Sequence, residues 1–208
     1  MKMFVNLYLF EVLATYLVRL PSVFLNARTG SRKDRLSQAQ RVRQEGVVVS
    51  ILMLFWFFAA IILPGIYAAT DWFDRFDYSL PVWCGYAGLA MAGLVLWILW
   101  RAHADLDRNW SAVVQIKENQ HLVTQGIYSS IRHPIYSAHL LWGLTQVLMV
   151  PNWLAGVPGF AAIILIMILR IPHEERMLIG QFGDEYRQYM QQTGALLPRF
   201  SNRGARKE

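Results

Sequence analysis

From Val47 to Ala69 the chain runs for 23 residues without one charged side chain. The hydrocarbon core of a bilayer asks for about 20 consecutive apolar residues in a helix, so this one stretch directs the chain into a membrane. Roughly Phe4 to Leu25 and Pro81 to Trp100 have the same character. Two shorter apolar stretches, Pro134 to Val150 and Trp153 to Leu169, flank Pro151-Asn152 and read as the arms of an antiparallel hairpin. The expected architecture is all-α and integral to the membrane, with about five transmembrane helices. Composition agrees: 55% of the residues are hydrophobic, 16% are charged, and the mean hydropathy is +0.28, outside the usual range of soluble domains.

Charge placement predicts the orientation. Seventeen of the 20 lysines and arginines fall in the loop after the first span, in 101–133 or beyond Leu169. The positive-inside rule puts these segments in the cytoplasm and the N-terminus outside. The same rule accounts for a net charge of +6 and a pI near 9.7 without nucleic acid, for which no basic helix or aromatic-basic sheet motif is present. Residues 1–100 are expected to form three spans with a basic cytoplasmic loop at 26–46. Residues 101–208 are expected to comprise a polar loop at 106–133, the hairpin at 134–169 and a cytoplasmic tail at 170–208. The first span lacks a small-residue cleavage pattern and reads as retained. Within it, Arg19 is near enough to the end to snorkel, and Glu11 reads as a helix-packing contact. The single cysteine, Cys84, excludes an intrachain disulfide framework and a thiolate-rich zinc site.

Two polar segments border the hairpin. Ahead of it stands Gly126 to Tyr136, GIYSSIRHPIY. Pro134 suits the first position of a helix, which leaves Arg132 and His133 as interfacial polar residues and Tyr136 as an interface anchor. Alternatively, the free N–H groups of that helix start, with Arg132, suit a carboxylate, and His133 and Tyr136 add hydrogen-bonding groups. Behind the hairpin come Arg170, His173, Glu174 and Glu175, with Pro172 read as the break between the span and a new amphipathic helix. Across that break, Glu174 could hold a cationic ligand and Arg170 an anionic one; as a plain structural reading, Arg170 snorkels and the glutamates are solvated. The histidines are scattered, which argues against a metal centre, and no nucleophile elbow, Walker loop or G-x-G-x-x-G occurs.

Taken in order, Asn109-Trp110-Ser111, Val113-Val114-Gln115, L-V-T-Q-G-I-Y from Leu122 to Tyr128, R-H-P-I-Y, Arg170, Glu174-Glu175, Leu178, F-G-D-E-Y from Phe182 to Tyr186, Tyr189 and Pro198 resemble the isoprenylcysteine carboxyl methyltransferase family, itself similar to membrane phospholipid methyltransferases. The resemblance runs from about Leu106 to Pro198. It implies an S-adenosylmethionine pocket with contacts from Gln115, Gln120, His121, Leu122, Val123, Tyr128, Arg132, His133, Pro134, Ile135, Tyr136 and Glu174, and an acceptor contact from Arg170, which with Glu174 would carry catalysis. Gln120 stands where the family usually has His, Ala138 where it has Gly, and Asp107 where Gly is common. The implied acceptor is a prenylcysteine-like or other lipophilic carboxylate, with membrane lipid as the surrounding partner. The alternatives are a phospholipid or thiol methyltransferase, an NADPH-dependent sterol-type reductase, and a non-enzymatic membrane protein with a structural hinge.

Overall fold

The structure, a computed structural model, describes residues 2–29, 47–106 and 121–199, of which 22, 23 and 25–29 are described by backbone only. Most of the basic loop, Gln115, Gln120 and the segment from Asn109 to Val114 lie outside the described residues. The described part is helical: α1 (Lys2–Thr29), α2 (Val47–Ala69), α3 (Val82–Leu106), α4 (Pro134–Met149), α5 (Val157–Phe182) and α6 (Asp184–Gln192). Four of these, α1, α2, α3 and α5, are long and apolar enough to cross a bilayer. The remaining expected span, α4, has 16 residues, about 24 Å of helix against a core of about 30 Å. It is the first arm of the expected hairpin.

The main core joins four helices: Val5, Tyr8 and Val12 of α1, Tyr67 of α2, Val95, Ile98 and Leu99 of α3, and Ala138, Trp142 and Met149 of α4. Large side chains elsewhere on α1, α2 and α3, among them Phe10, Leu54 and Trp97, are exposed, as a lipid-facing surface requires. Within α2 the turn Phe58–Ile62 is π-helical, and its loosened carbonyls are taken by other helices. Tyr8 donates to the Ala60 carbonyl at 2.8 Å, and Gln146 of α4 donates to Ala59 at 2.8 Å and to Ala155 at 2.7 Å. Polar groups at membrane depth need such partners, since no water is there to replace them.

The hairpin turns on Asn152, which is fully buried. Its amide donates to Phe73 and to the Asp77 carboxylate, and its carbonyl accepts from the backbones of Leu154 and Ala155. The two arms pack closely because Gly143 faces the backbone of Phe160, where a Cβ would collide. The second arm differs from the sequence expectation at both ends. It starts at Val157, after a tight turn, and not at Trp153. It also runs unbroken through Pro172 to Phe182. Proline removes one intrahelical bond, that to the Ile168 carbonyl, and favours a bend there. The helix nevertheless continues, so no new helix begins at 172.

Candidate functional site at the mouth of the hairpin

Around Gly126 the chain folds tightly. Gly126 has φ +61° and its Cα lies against the Asp105 carboxylate, so a side chain fits neither the dihedral nor the space. Asp105, braced by Arg101 at 2.8 Å, accepts the Ile127 N–H at 2.8 Å. This anchors the short 3-10 turn Gly126–Ser129 on the end of α3 and buries Tyr128, whose hydroxyl donates to Ala102. The sequence does not single out Asp105; it precedes the recognisable motif and reads as an ordinary helix-end charge.

Pro134 opens α4 as expected. Just ahead of it, the backbone of 131–133 pairs in parallel with the segment after α6. Arg132 N–H donates to Gly194, His133 N–H to Ala195, and the Ser137 hydroxyl to Leu196 at 2.6 Å. The tail therefore packs on the hinge as an extended segment held by one isolated bridge. Between them Arg132, Met190 and residues 193–199 border a cavity of about 540 Å³.

The Arg132 guanidinium is engaged within the protein. It donates to Glu175 from Nε at 3.0 Å and to the carbonyls of Met190 and Thr193. His133, 5% exposed, places Nε2 3.3 Å from the same Glu175 oxygen. One carboxylate from the far end of the hairpin thus closes on two adjacent residues at its near end. The two polar segments read from the sequence meet, although through Glu175 and not Glu174. The i, i+4 pair Arg170 and Glu174 shares one face of the continuous α5. Arg170 is buried, with one guanidinium nitrogen 3.5 Å from the Met53 sulfur. Tyr136 packs against the α5 cluster of Ile163, Ile166 and Met167 and beside the His133 ring, 5.7 Å away. Leu122, Val123 and Ile135 are half-buried, and His121 is exposed.

Glu174 differs from its neighbour. Its Oε2 is buried and has no hydrogen-bond partner among the described residues, and it lies within electrostatic reach of Tyr128 and Tyr186. Burial, reinforced by Glu174, holds the Tyr128 phenol well above its usual range. Burial also raises Tyr186, and it pushes Tyr189 up to about 12. Tyr189 donates to the Tyr128 carbonyl at 2.6 Å. An acceptor-only oxygen beside neutral phenols fits a cation: the carboxylate supplies charge, and aromatic faces add cation–π attraction. Among the described residues no cluster of His, Cys, Asp or Glu is arranged to hold a metal.

Fold and site together define a multi-pass helical membrane protein with a polar hinge closed across the mouth of a hairpin. Residues 88–180 match the sequence profile of the isoprenylcysteine carboxyl methyltransferase (ICMT) family. A probable protein-S-isoprenylcysteine O-methyltransferase of Oryza sativa subsp. indica is 36% identical over 115 residues, 54% of this chain and 60% of the relative. The Homo sapiens protein-S-isoprenylcysteine O-methyltransferase is 31% identical over 118 residues, 56% of this chain and 42% of the relative. Methanethiol S-methyltransferase 1 of Bradyrhizobium diazoefficiens is 43% identical over 75 residues, 35% of this chain and 24% of the relative. Among solved structures, a eukaryotic intramembrane Ras methyltransferase ICMT superposes with a TM-score of 0.51 at 22% identity, covering 90% of this chain and 61% of the other; this likeness shows the fold. The chain spans at most about three fifths of the length of these relatives.

Proposed function

We propose that the chain is an integral membrane methyltransferase that uses S-adenosylmethionine to methylate the carboxylate of a prenylcysteine-like or other lipophilic acceptor. The reading rests on the convergence of the R-H-P-I-Y hinge and the Glu174-Glu175 pair at one mouth, with a buried carboxylate oxygen of Glu174 that has no hydrogen-bond partner among the described residues. When bound, S-adenosylmethionine supplies an electrophilic methyl group on a sulfonium cation. Glu174 holds that positive charge. Leu122, Val123, Tyr128 and the segment His133 to Tyr136 shape the rest of the pocket, with His121 at its rim and Gln115 and Gln120 outside the described residues.

Arg170 orients the acceptor carboxylate from below. An α-carboxyl group in water titrates at about pH 3.3–3.7, so the acceptor is already ionised at neutral pH and needs no general base. The protein's contribution is alignment and exclusion of water, the source of large effective molarities. The catalytic region is 101–208, with the N-terminus outside and the hairpin mouth in the cytoplasm. Titration calorimetry with S-adenosylmethionine, S-adenosylhomocysteine and NADPH tests the reading. Binding of the first two and not the third is expected, and NADPH binding alone overturns it in favour of a reductase.

A second reading, a small thiol acceptor, is favoured by the 43% identity to the methanethiol enzyme. A thiol ionises near about pH 8.5 and needs a base, for which Glu174 or His133 is the candidate. The pH profile separates the two: flat from about pH 6 to 8 for a carboxylate acceptor, rising for a thiol.

A further inference from the structure

The sequence predicts that everything after the hairpin is a cytoplasmic tail. Residues 194–199 instead make a loop that closes on itself. The N–H groups of Gly194 and Arg199 both donate to the Ser130 carbonyl, at 3.2 and 3.4 Å. Along the loop, the Gly194 and Ala195 carbonyls accept from the backbones of Arg132 and His133, and the Leu196 carbonyl accepts the Ser137 hydroxyl. Gly194 lies so close to the Leu197 carbonyl that a Cβ has no room there, which fixes the turn. The loop is thus held at both ends and along one side.

Its tip points toward the membrane. Ser137 stands four residues past His133, about 6 Å down α4 from the hinge. The Leu196 side chain packs against Ile163, Ile166 and Met167 of α5, a helix long and apolar enough to cross a bilayer. Met167 lies eight residues back from Glu175, about 12 Å below the contact that closes the mouth. Counted from Val157 at the other end of α5, Glu175 stands about 27 Å along the helix, near the limit of a hydrocarbon core of about 30 Å. The tip therefore lies on the membrane side of that limit.

Leu197 is 76% exposed, and Pro198 and Arg199 are exposed beside it. A leucine uncovered by protein at this depth meets lipid. Proline suits the same place because it brings no N–H that lipid would leave without a partner. Arg199 closes the loop back at Ser130, ahead of α4, and carries the loop's one charge there. Apolar side chains at the acyl boundary with a cation at the headgroups make an interfacial anchor.

We infer that the loop 194–199 is a membrane anchor: Leu197 and Pro198 enter the acyl boundary of the leaflet at the hinge end of the bundle, and Arg199 meets its phosphates. The partner is the lipid surface. Because the loop shares its hydrogen bonds with residues 130–133, the anchor seats the mouth of the hairpin at that surface. The inference is independent of the reaction proposed above.

The test uses the full chain carrying Cys84→Ala and Leu197→Cys, with a nitrobenzoxadiazole label on the new thiol, in vesicles of phosphatidylcholine and phosphatidylglycerol. The same label on Glu185→Cys, at an exposed position of α6, is the water-facing reference. Relative to that reference, the label at 197 is expected to emit at shorter wavelength, to lose intensity when the lipids are brominated and to resist quenching by iodide. Emission and iodide quenching equal to those at 185 overturn the anchor. Resistance to iodide without loss to brominated lipids also overturns it, since protein and not lipid then covers the tip. Pro198→Cys is labelled in parallel and decides by the same criteria if Leu197→Cys does not fold.

Discussion

The hinge at the mouth of the hairpin and the inner stripe of α1 are both polar and both buried, yet they are built on opposite terms. At the hinge, Arg132, His133 and Glu175 satisfy one another, and the tail segment takes up the backbone. Along α1, both carboxylate oxygens of Glu11 and the hydroxyl of Thr15 are buried without partners among the described residues. A satisfied cluster fixes one geometry. An unsatisfied one costs stability, and its retention is explained by something other than folding. The comparison assigns shape to the hinge and a cost in stability to the stripe, with the buried Arg170 and Glu174 of the proposed site on the boundary between structural and functional polar groups.

The largest effects are expected at that boundary. Arg170→Ala should lower turnover about a hundredfold or more, the range for losing one preorganised electrostatic contact to the reacting group, with cofactor affinity near wild type. Glu174→Ala should weaken S-adenosylmethionine about tenfold or more in titration calorimetry. Wild-type activity in both variants removes the site assignment. Glu175→Gln strikes the hinge instead. It takes the charge from a carboxylate whose side chain is 18% exposed and which holds Arg132 and His133, and leaves the Arg132 cation only neutral acceptors, an amide oxygen and two backbone carbonyls. A loss of about 3 kcal/mol is expected, read as a lower unfolding temperature in detergent. An unchanged temperature would mean that the tail segment alone holds the hinge.

The membrane architecture was legible because hydropathy over a whole span integrates many small contributions, and the hairpin because Pro151-Asn152 interrupts an apolar run. Convergence of the two polar segments was legible from their places on either side of that hairpin. Which glutamate meets His133 was not, because adjacent residues on a helix point about 100° apart and the choice depends on the phase of α5. A break at Pro172 would have set a different phase. Asp105 and the residues after α6 are hard to see for another reason: their roles are backbone hydrogen bonds, which leave little trace in side-chain pattern. Arg19, whose guanidinium lies 3.5 Å from Nε2 of His139 on α4, reads as an interfacial charge because sequence gives depth along a helix and not which way a long side chain turns.

The hinge also sets a pH limit. Tyr189 has its phenol at about 12 in the folded chain against about 10 unfolded, and burial raises Tyr186 and Tyr128 as well. A raised phenol pKa means that the folded state holds the proton more tightly. Its contribution is present in full below about pH 10 and is lost as pH rises toward about 12. The loss for Tyr189 is expected to be about 2 kcal/mol, seen as unfolding temperatures that fall across that window. Tyr189→Phe should flatten part of that fall. If it does not, the tail is held to the hinge without the Tyr189–Tyr128 contact.

The smallest effect carries the opposite sign. Glu11 is 3% exposed, with Tyr8 and Val12 of its own helix in the same core. Methionine matches its length and brings no polar atom that must be desolvated. Glu11→Met is therefore expected to raise stability by about 1 kcal/mol, the low end of the cost of an unmade buried hydrogen bond, whereas Glu175→Gln lowers it. A loss of stability in Glu11→Met would instead place Glu11 among the residues that hold the bundle together, and the distinction between a satisfied hinge and an unsatisfied stripe would no longer stand.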